Sequence, residues 1–187
     1  MNGRWGDGPM EFVPLGSVDR SALRWQRVSE SPMEFVLSAG ESTVARLRWA
    51  RAGGSLASVD LAGASWTLKR GGFLNPNTTA RAVPGGETLA RLSVHLNHHA
   101  IDLPGGASYR FHRAGVLLPA WKVSAETGKE ILHVEPVRQG RKLEGGAVIP
   151  SPEGANLPEL LLLIVVTWHF IVLAWFEDEA LVPLEGP

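Results

Sequence analysis

One continuous apolar run near the end of the chain, Leu160 to Phe176, constrains the fold more than any other feature. A helix over this run would be about 26 Å long, close to the roughly 30 Å thickness of a bilayer's hydrocarbon core. Because the run is apolar on all sides, it must be buried in lipid or in protein, and periodicity does not separate the two. His169, near its middle, is costly in a membrane unless it faces a partner.

The run carries signals at both ends. Asn156 suits an N-cap, Pro158 suits the first helical turn, and Glu159 complements the positive end of the helix dipole. The acidic stretch 177–179 predicts the end of the helix, so we expect a helix over about 157–177. If this helix crossed a membrane, the basic residues before it and the acids after it would leave the body in the cytoplasm, as in a tail-anchored protein.

Length and composition narrow the classes of protein. A chain of 187 residues predicts one domain. The net charge of −1 gives little support to nucleic-acid binding, and the absence of cysteine excludes disulfides, thiolate metal sites and a cysteine nucleophile. Residues 1–9 lack the apolar core of a secretory signal and are interpreted as a disordered leader. We therefore expect a single domain over 10–187 in the cytoplasm.

Most of the remaining chain has the pattern of short strands. Glycine and proline recur without a period between apolar stretches, which is typical of many turns. Apolar Ala45, Leu47 and Trp49 alternate with polar neighbours, as in antiparallel sheet around one core. Further strands are expected within Phe12–Val28. The predicted strands are Glu34–Ser38, Thr43–Trp49, Ser55–Leu61, Ser65–Arg70, Thr78–Val83, Thr88–Leu96, Ala100–Leu103, Ser108–Arg113, Val116–Val123 and Glu130–Pro136.

A weak internal repeat supports a strand meander. The segment GESTVARL, which begins at Gly40, is similar to GETLARL, which begins at Gly86. The segment GASWTLKR from Gly63 is similar to GASYRFHR from Gly106. Both matches occur in the same order, which predicts two copies of one strand unit.

Several short motifs accompany the order of many strands followed by one apolar helix. They are Gly54–Ala57, Trp66–Arg70, Gly72–Pro76, Arg81, Ser108–Arg110, Trp121 and Glu126–Lys129. With these motifs the chain resembles the tubby-like and LURP-one-related group, which includes the phospholipid scramblases, and especially its small bacterial members. The resemblance implies a closed antiparallel β-barrel of about twelve strands wrapped around one central hydrophobic C-terminal α-helix. The run 160–176 would then be a barrel core.

The chain departs from the functional motifs of that group. Scramblases carry a cysteine-rich segment and an acidic calcium-binding stretch beside the helix, whereas this chain has no cysteine and only the short acidic stretch 177–179. Tubby proteins bind phosphoinositide head groups through basic residues, and no cluster here maps onto that site. The resemblance therefore carries over the fold and no functional residue.

Histidines offer the nearest approach to a metal site. On a strand, His95, Asn97 and His99 would share one face, with His112 on a neighbouring strand, and such a set suits a divalent cation. A solvated strand end explains the same residues, and we favour it, so no metal or cofactor is expected. We expect His169 to be a core histidine with a hydrogen-bond partner from the barrel wall or a buried water.

No motif points to catalysis. The glycine pairs, including Gly145-Gly146, are not followed by a Lys-Ser or Lys-Thr pair or by a helix, and are interpreted as turns. No nucleophile elbow and no recognisable carboxylate pair is present, so an enzyme is disfavoured. A metal-dependent enzyme that uses His95 and His99 stays a third alternative.

Basic residues at strand positions suggest a function. If they share an outer face, they could meet anionic lipid head groups, although a solvated sheet face also accounts for them. The leading hypothesis is a non-enzymatic module that binds anionic phospholipid or a membrane-associated partner, peripheral to the membrane. The alternative is a tail-anchored protein with a cytoplasmic β-domain. The candidate lipid-facing residues are Arg46, Arg48, Lys69, Arg70, Arg110 and Arg113.

Overall fold

The computed structural model describes residues 10–51, 54–72, 76–95, 99–114 and 120–181, with side chains to residue 177. The predicted leader 1–9 lies outside these segments. Within them the chain forms twelve strands, three 3-10 turns and one long helix, α1. The strands are β1 (Leu23–Glu30), β2 (Met33–Ala39), β3 (Ser42–Trp49), β4 (Leu56–Leu61), β5 (Ala64–Gly71), β6 (Asn77–Val83), β7 (Thr88–Val94), β8 (His99–Asp102), β9 (Ser108–Ala114), β10 (Ala120–Ala125), β11 (Glu130–Gln139) and β12 (Lys142–Pro150). The turns are Leu15–Ser17, Arg20–Ala22 and Gly154–Asn156, and α1 is Leu160–Leu181.

The strands form a closed antiparallel barrel. Each strand pairs with the next along the chain, and β1 pairs with β12 to complete the circle. Closure pairs the edges of the sheet, except where β1 and β12 diverge beyond Gln26 and Gly145. The predicted barrel of about twelve strands is therefore confirmed, and each of the ten segments predicted individually overlaps a strand. Positions 96 and 116–119 of these segments lie outside the described residues.

Strand β12 was not predicted, and the interpretation of Gly145-Gly146 as a turn is wrong. Both glycines lie inside β12, where they pair with Gln26 and Trp25 of β1. A Cβ at position 146 would lie 2.9 Å from Cζ3 of Trp168 and 2.8 Å from the carbonyl oxygen of Glu135. A Cβ at position 145 would collide with the carbonyl oxygen of Trp25. These glycines leave room for tryptophan where the barrel closes.

The helix fills the barrel. Trp168 stacks on Trp25 of β1 at 5.6 Å between ring centroids and meets Phe35 of β2 edge-on at 5.4 Å. His169 stacks on Trp49 of β3 at 5.5 Å. These three strands form one side of the wall, and the helix packs against them through its middle two turns.

The opposite wall also contacts α1. Phe170 packs against Phe111 of β9 at 5.3 Å and Trp121 of β10 at 5.5 Å. Because apolar contacts reach the helix from both sides, its environment is the barrel interior. An 18-residue window of α1, Leu160–Glu177, has a mean hydropathy of 2.2 and the length to cross a membrane, yet 61% of it is buried inside the protein.

The helix begins later and ends later than predicted. Asn156 is not the N-cap: it lies in the turn Gly154–Asn156, where its amide donates a hydrogen bond to the carbonyl of Pro152. At the other end α1 continues through the acidic stretch 177–179 to Leu181. An acidic residue near a helix C-terminus costs only about 0.3–1 kcal/mol. The ion pair of Glu177 with Arg70 offsets part of that cost.

The direction of α1 distinguishes the two ends of the barrel. Tyr109, near the start of β9, hydrogen-bonds to Glu159 just before the helix, which places the helix start at the end that carries the β8–β9 connection. The indole Nε1 of Trp175 donates to the carbonyl of Arg141 in the β11–β12 connection, at the opposite end. We call these the proximal end, where α1 begins, and the distal end, where it leaves the barrel.

The internal repeat corresponds to structure. Its first element occurs on β3 and β7, and its second on β5 and β9, so the copies are four strands apart. Each element is the second strand of a hairpin that closes at the proximal end. In both copies an arginine faces an aspartate on the next strand, Arg46 opposite Asp60 and Arg91 opposite Asp102.

Candidate functional site

The six candidate lipid-facing residues do not form one outer face. They lie on β3, β5 and β9, and three strands separate β5 from β9. Arg46 and Arg48 share an ion-pair cluster on the wall of β2, β3 and β4. Arg46 Nη2 lies 3.0 Å from Asp60 Oδ2, and Arg48 Nε lies 3.3 Å from Glu34 Oε2. Two acids balance these two cations locally.

The other four residues differ in how they are paired. Arg70, next to last in β5, forms a two-point ion pair with Glu177 of α1. Lys69, Arg110 and Arg113 are exposed, and across the described segments no ion pair joins them to an acid. These three are the candidates whose charge is available to an external anion.

The histidines do not share one strand face as expected. Strand β7 ends at Val94 and β8 begins at His99, so His95 and His99 lie on opposite sides of a connection; positions 97 and 98 lie outside the described residues. His99 is opposite Phe111 in the register and packs on Phe170 at 4.6 Å. His112 follows Phe111 and is exposed on the outer wall. Among described residues no group of three or more His, Asp or Glu could hold a metal.

His169 is buried in the core, as predicted. Burial, and secondly the positive charge of Arg70, lower its pKa to about 3, so the imidazole is neutral at physiological pH. Neither ring nitrogen has a hydrogen-bond partner among the described residues, so the expected partner from the barrel wall is not found there. A neutral imidazole stacked on Trp49 acts as an aromatic core residue.

The sequence did not reveal an opening in the barrel wall at the distal end. Strands β1 and β12 pair only over Arg24–Gln26 and Gly145–Ala147. Beyond these pairs, towards the distal end, a depression of about 180 Å³ reaches the helix. We call it the wedge. It is lined by Arg27, Glu30, Met33, Phe35, Lys142, Leu143, Trp175 and Phe176.

The charges of the wedge differ in their partners. Lys142 Nζ lies 2.7 Å from Glu30 Oε1, and this hydrogen bond and charge, followed by the charge of Arg27, lower the pKa of Glu30. Arg27 Nε is buried and has no hydrogen-bond partner within the described segments. In the sequence, the basic residues near Gly140 could have indicated this site, but they are spread over a hairpin and two strands. They are Arg138, Arg141 and Lys142.

Trp175 separates the wedge from a second depression. That depression has a volume of about 390 Å³ and lies over β10, β11 and β12, with Ala120, Pro136 and Ala147 in its lining. Trp175 and Phe176 are partly buried, as are Leu161 and Leu162 in the first turn of α1. The partly exposed apolar side chains of the helix are therefore aliphatic at the proximal end and aromatic at the distal end.

The geometry defines a closed antiparallel barrel with a central apolar helix, with basic and aromatic groups where the helix leaves it. Neither the known family models nor the curated proteins nor the solved structures include a match to this chain. Function is therefore inferred from the side chains themselves, and kinship with the tubby-like group remains a proposal.

Proposed function

We propose that the protein is a non-enzymatic module that binds anionic lipid head groups at a membrane surface. One observation carries the proposal: Lys69, Arg110 and Arg113 are exposed cations that no acid neutralises within the described part of the chain. Each basic side chain near an anionic surface contributes about 1 kcal/mol of attraction. The interior of the barrel is occupied by α1, so binding belongs to the outer surface.

The resemblance to the tubby-like and LURP-one-related group supports the same function. The closed barrel around a C-terminal helix is the fold that this resemblance implies. We propose that the protein belongs to that group and that it is cytoplasmic and peripheral to the membrane. The chain lacks the cysteine-rich segment of the scramblases and the basic head-group site of the tubby proteins. Its ligand-binding residues must therefore differ from those of these proteins.

A tail-anchored protein is the less favoured alternative. For α1 to enter a bilayer it would have to leave the barrel, and the wall residues Trp25, Phe35, Trp49 and Phe111 would lose their buried packing. Exposing one large apolar side chain costs about 1.5–3 kcal/mol. The helix already has an apolar environment without a membrane.

Vesicle co-sedimentation tests the proposed function. We expect the protein to sediment with phosphatidylcholine vesicles that contain phosphatidylserine, and to remain in the supernatant with phosphatidylcholine alone. Because the attraction is electrostatic, binding should weaken as salt increases. Failure to bind phosphatidylserine vesicles even at low salt would overturn the proposal.

A charge-reversal variant tests the residues that carry the proposal. The triple variant Lys69→Glu, Arg110→Glu, Arg113→Glu should bind these vesicles more weakly, with unchanged thermal unfolding because all three side chains are exposed. Lys129→Glu is the control at the proximal end, where Lys129 already pairs with Glu153. Equal binding by the triple variant and the unaltered protein would remove these residues from the site.

A further inference from the structure

The two ends of the barrel carry opposite charge. Consider the strand connections with the two strand residues on each side. The ion-pair cluster of Arg46, Arg48, Glu34 and Asp60 is neutral within itself and is left out. At the proximal end the remaining acids are Glu41, Glu87, Asp102, Glu126, Glu130, Glu153 and Glu159, against Arg24 and Lys129. At the distal end the remaining bases are Arg51, Arg70, Arg113, Arg138, Arg141 and Lys142, against Glu30. The acidic stretch 177–179 of α1 lowers the distal excess without reversing it.

Aromatic side chains accompany the basic end. Trp175 and Phe176 of α1 and Trp121 of β10 are partly exposed there. Tryptophan favours the boundary between lipid head groups and acyl chains, because its ring is apolar and its N–H is polar. Cations together with amphipathic aromatic rings are the composition of a surface that meets an anionic bilayer.

The wedge adds a specific place for an anion. Its inner lining includes the buried side chains of Met33, Phe35 and Leu143. Arg27 also lines it, with a buried Nε that has no hydrogen-bond partner among the described residues, and the exposed Lys142 is held by Glu30. A phospholipid is complementary to this combination of groups, because its phosphate is anionic and its glycerol backbone adjoins apolar chains.

We propose that the distal end is the membrane-facing surface and that the wedge receives the phosphate of an anionic phospholipid beside Arg27 and Lys142. This inference rests on the proposed function and specifies its orientation. Glu30 weakens the binding of the lipid, because its carboxylate neutralises Lys142 and lies beside the site of the phosphate. Removing that carboxylate should therefore strengthen membrane binding.

Two matched ion pairs test the orientation. Lys142–Glu30 at the distal end and Lys129–Glu153 at the proximal end are 2.7 and 2.6 Å long, and their side chains are 61%/63% and 65%/54% exposed. Glu30→Gln and Glu153→Gln each release one exposed lysine and raise the net charge equally. We expect Glu30→Gln to bind phosphatidylserine vesicles about fivefold more tightly, the effect of one additional lysine at an anionic surface.

Glu153→Gln should leave the vesicle affinity unchanged, and both variants should unfold at the temperature of the unaltered protein. Equal tightening by the two variants, or none by Glu30→Gln, would overturn the orientation while the proposed function stands. Absence of binding by the unaltered protein at low salt would instead overturn the proposed function. A double variant, Arg138→Glu with Arg141→Glu, should lose at least tenfold in affinity, and undiminished binding by it would likewise overturn the orientation.

Discussion

The proximal and distal ends of the barrel make different contacts with the helix α1. At the proximal end the connection 151–159 folds back against β11, Tyr109 bonds to Glu159, and the first residue of α1 is buried. At the distal end β1 and β12 are no longer paired, and Trp175 and Phe176 reach solvent. At the distal end the helix is therefore held by the side-chain contacts of Trp175 and Glu177 rather than by a packed connection.

Two glycines, one at each end of the barrel, also differ in how closely they are packed. Gly154 at the proximal end approaches the carbonyl oxygen of Ile131 so closely that any Cβ would collide with it. Gly140 at the distal end is surrounded by open space and is required only by its backbone angle, a φ of +61°. Packing constrains the first glycine and local turn geometry constrains the second.

The largest expected effect separates the two helix tryptophans. Trp168→Ala should reduce the free energy of unfolding by about 3–5 kcal/mol, because a fully buried ring stacked on Trp25 is replaced by a cavity. Trp175→Ala should cost about 1 kcal/mol, since it removes a partly exposed ring and one hydrogen bond to Arg141. Urea unfolding measures both. Equal losses would show that the helix is held as firmly at the distal end as in its middle.

A smaller effect compares the two glycines. Gly154→Ala should cost about 2–3 kcal/mol through overpacking against Ile131. Gly140→Ala should cost about 1–2 kcal/mol, the penalty of a left-handed backbone for a residue with a Cβ. Thermal unfolding of the two variants gives the order, and the reverse order would contradict the close packing assigned to the proximal end.

The next prediction concerns pH. The folded-state pKa of His169 is about 3, lowered first by burial and then by Arg70, against 6.5 for an ordinary histidine. Below pH 6.5 the unfolded chain therefore binds a proton that the folded protein does not, and stability falls as the pH falls towards 3. At pH 5 this loss amounts to roughly 2 kcal/mol.

The variant His169→Phe removes that titration. Its stability should change less between pH 7 and pH 5 than that of the unaltered protein, measured by urea unfolding at each pH. His112→Phe is the control, because His112 lies on the outer wall and is exposed. If the two variants lost stability equally on acidification, a buried neutral imidazole in the barrel core would be contradicted.

The sequence predicted the fold better than the site, for physical reasons. The apolar run and the recurring turn residues predict many strands followed by one helix, because both are local patterns. The enclosure of that helix by the strands was implied by the resemblance and not by these patterns. Strand β12 escaped prediction because Gly145 and Gly146 read as a turn until their contacts with Trp25 and Trp168 are known. The wedge joins Arg27 of β1 to Lys142 of β12, residues more than a hundred positions apart, and only barrel closure brings them together.

The smallest expected effect concerns the hydrogen bonds that fasten α1 at its two ends. Tyr109→Phe removes the bond to Glu159 at the proximal end and should cost about 1 kcal/mol at pH 7. Burial, and then the bond to Glu159, raise the pKa of Tyr109 to about 12 from 10. Above pH 10 the unfolded chain releases a proton that the folded protein retains, so stability falls as the pH rises to 12.

The free energy of unfolding of Tyr109→Phe should therefore fall less between pH 8 and pH 11 than that of the unaltered protein. Trp175→Phe removes the bond to Arg141 at the distal end, and its free energy of unfolding should fall as much as that of the unaltered protein. Urea unfolding at pH 8 and pH 11 distinguishes the two variants. A parallel alkaline loss in both would mean that the phenol is not held at the proximal end. The position of the helix would then depend on core packing and on the distal contacts of Trp175 and Glu177.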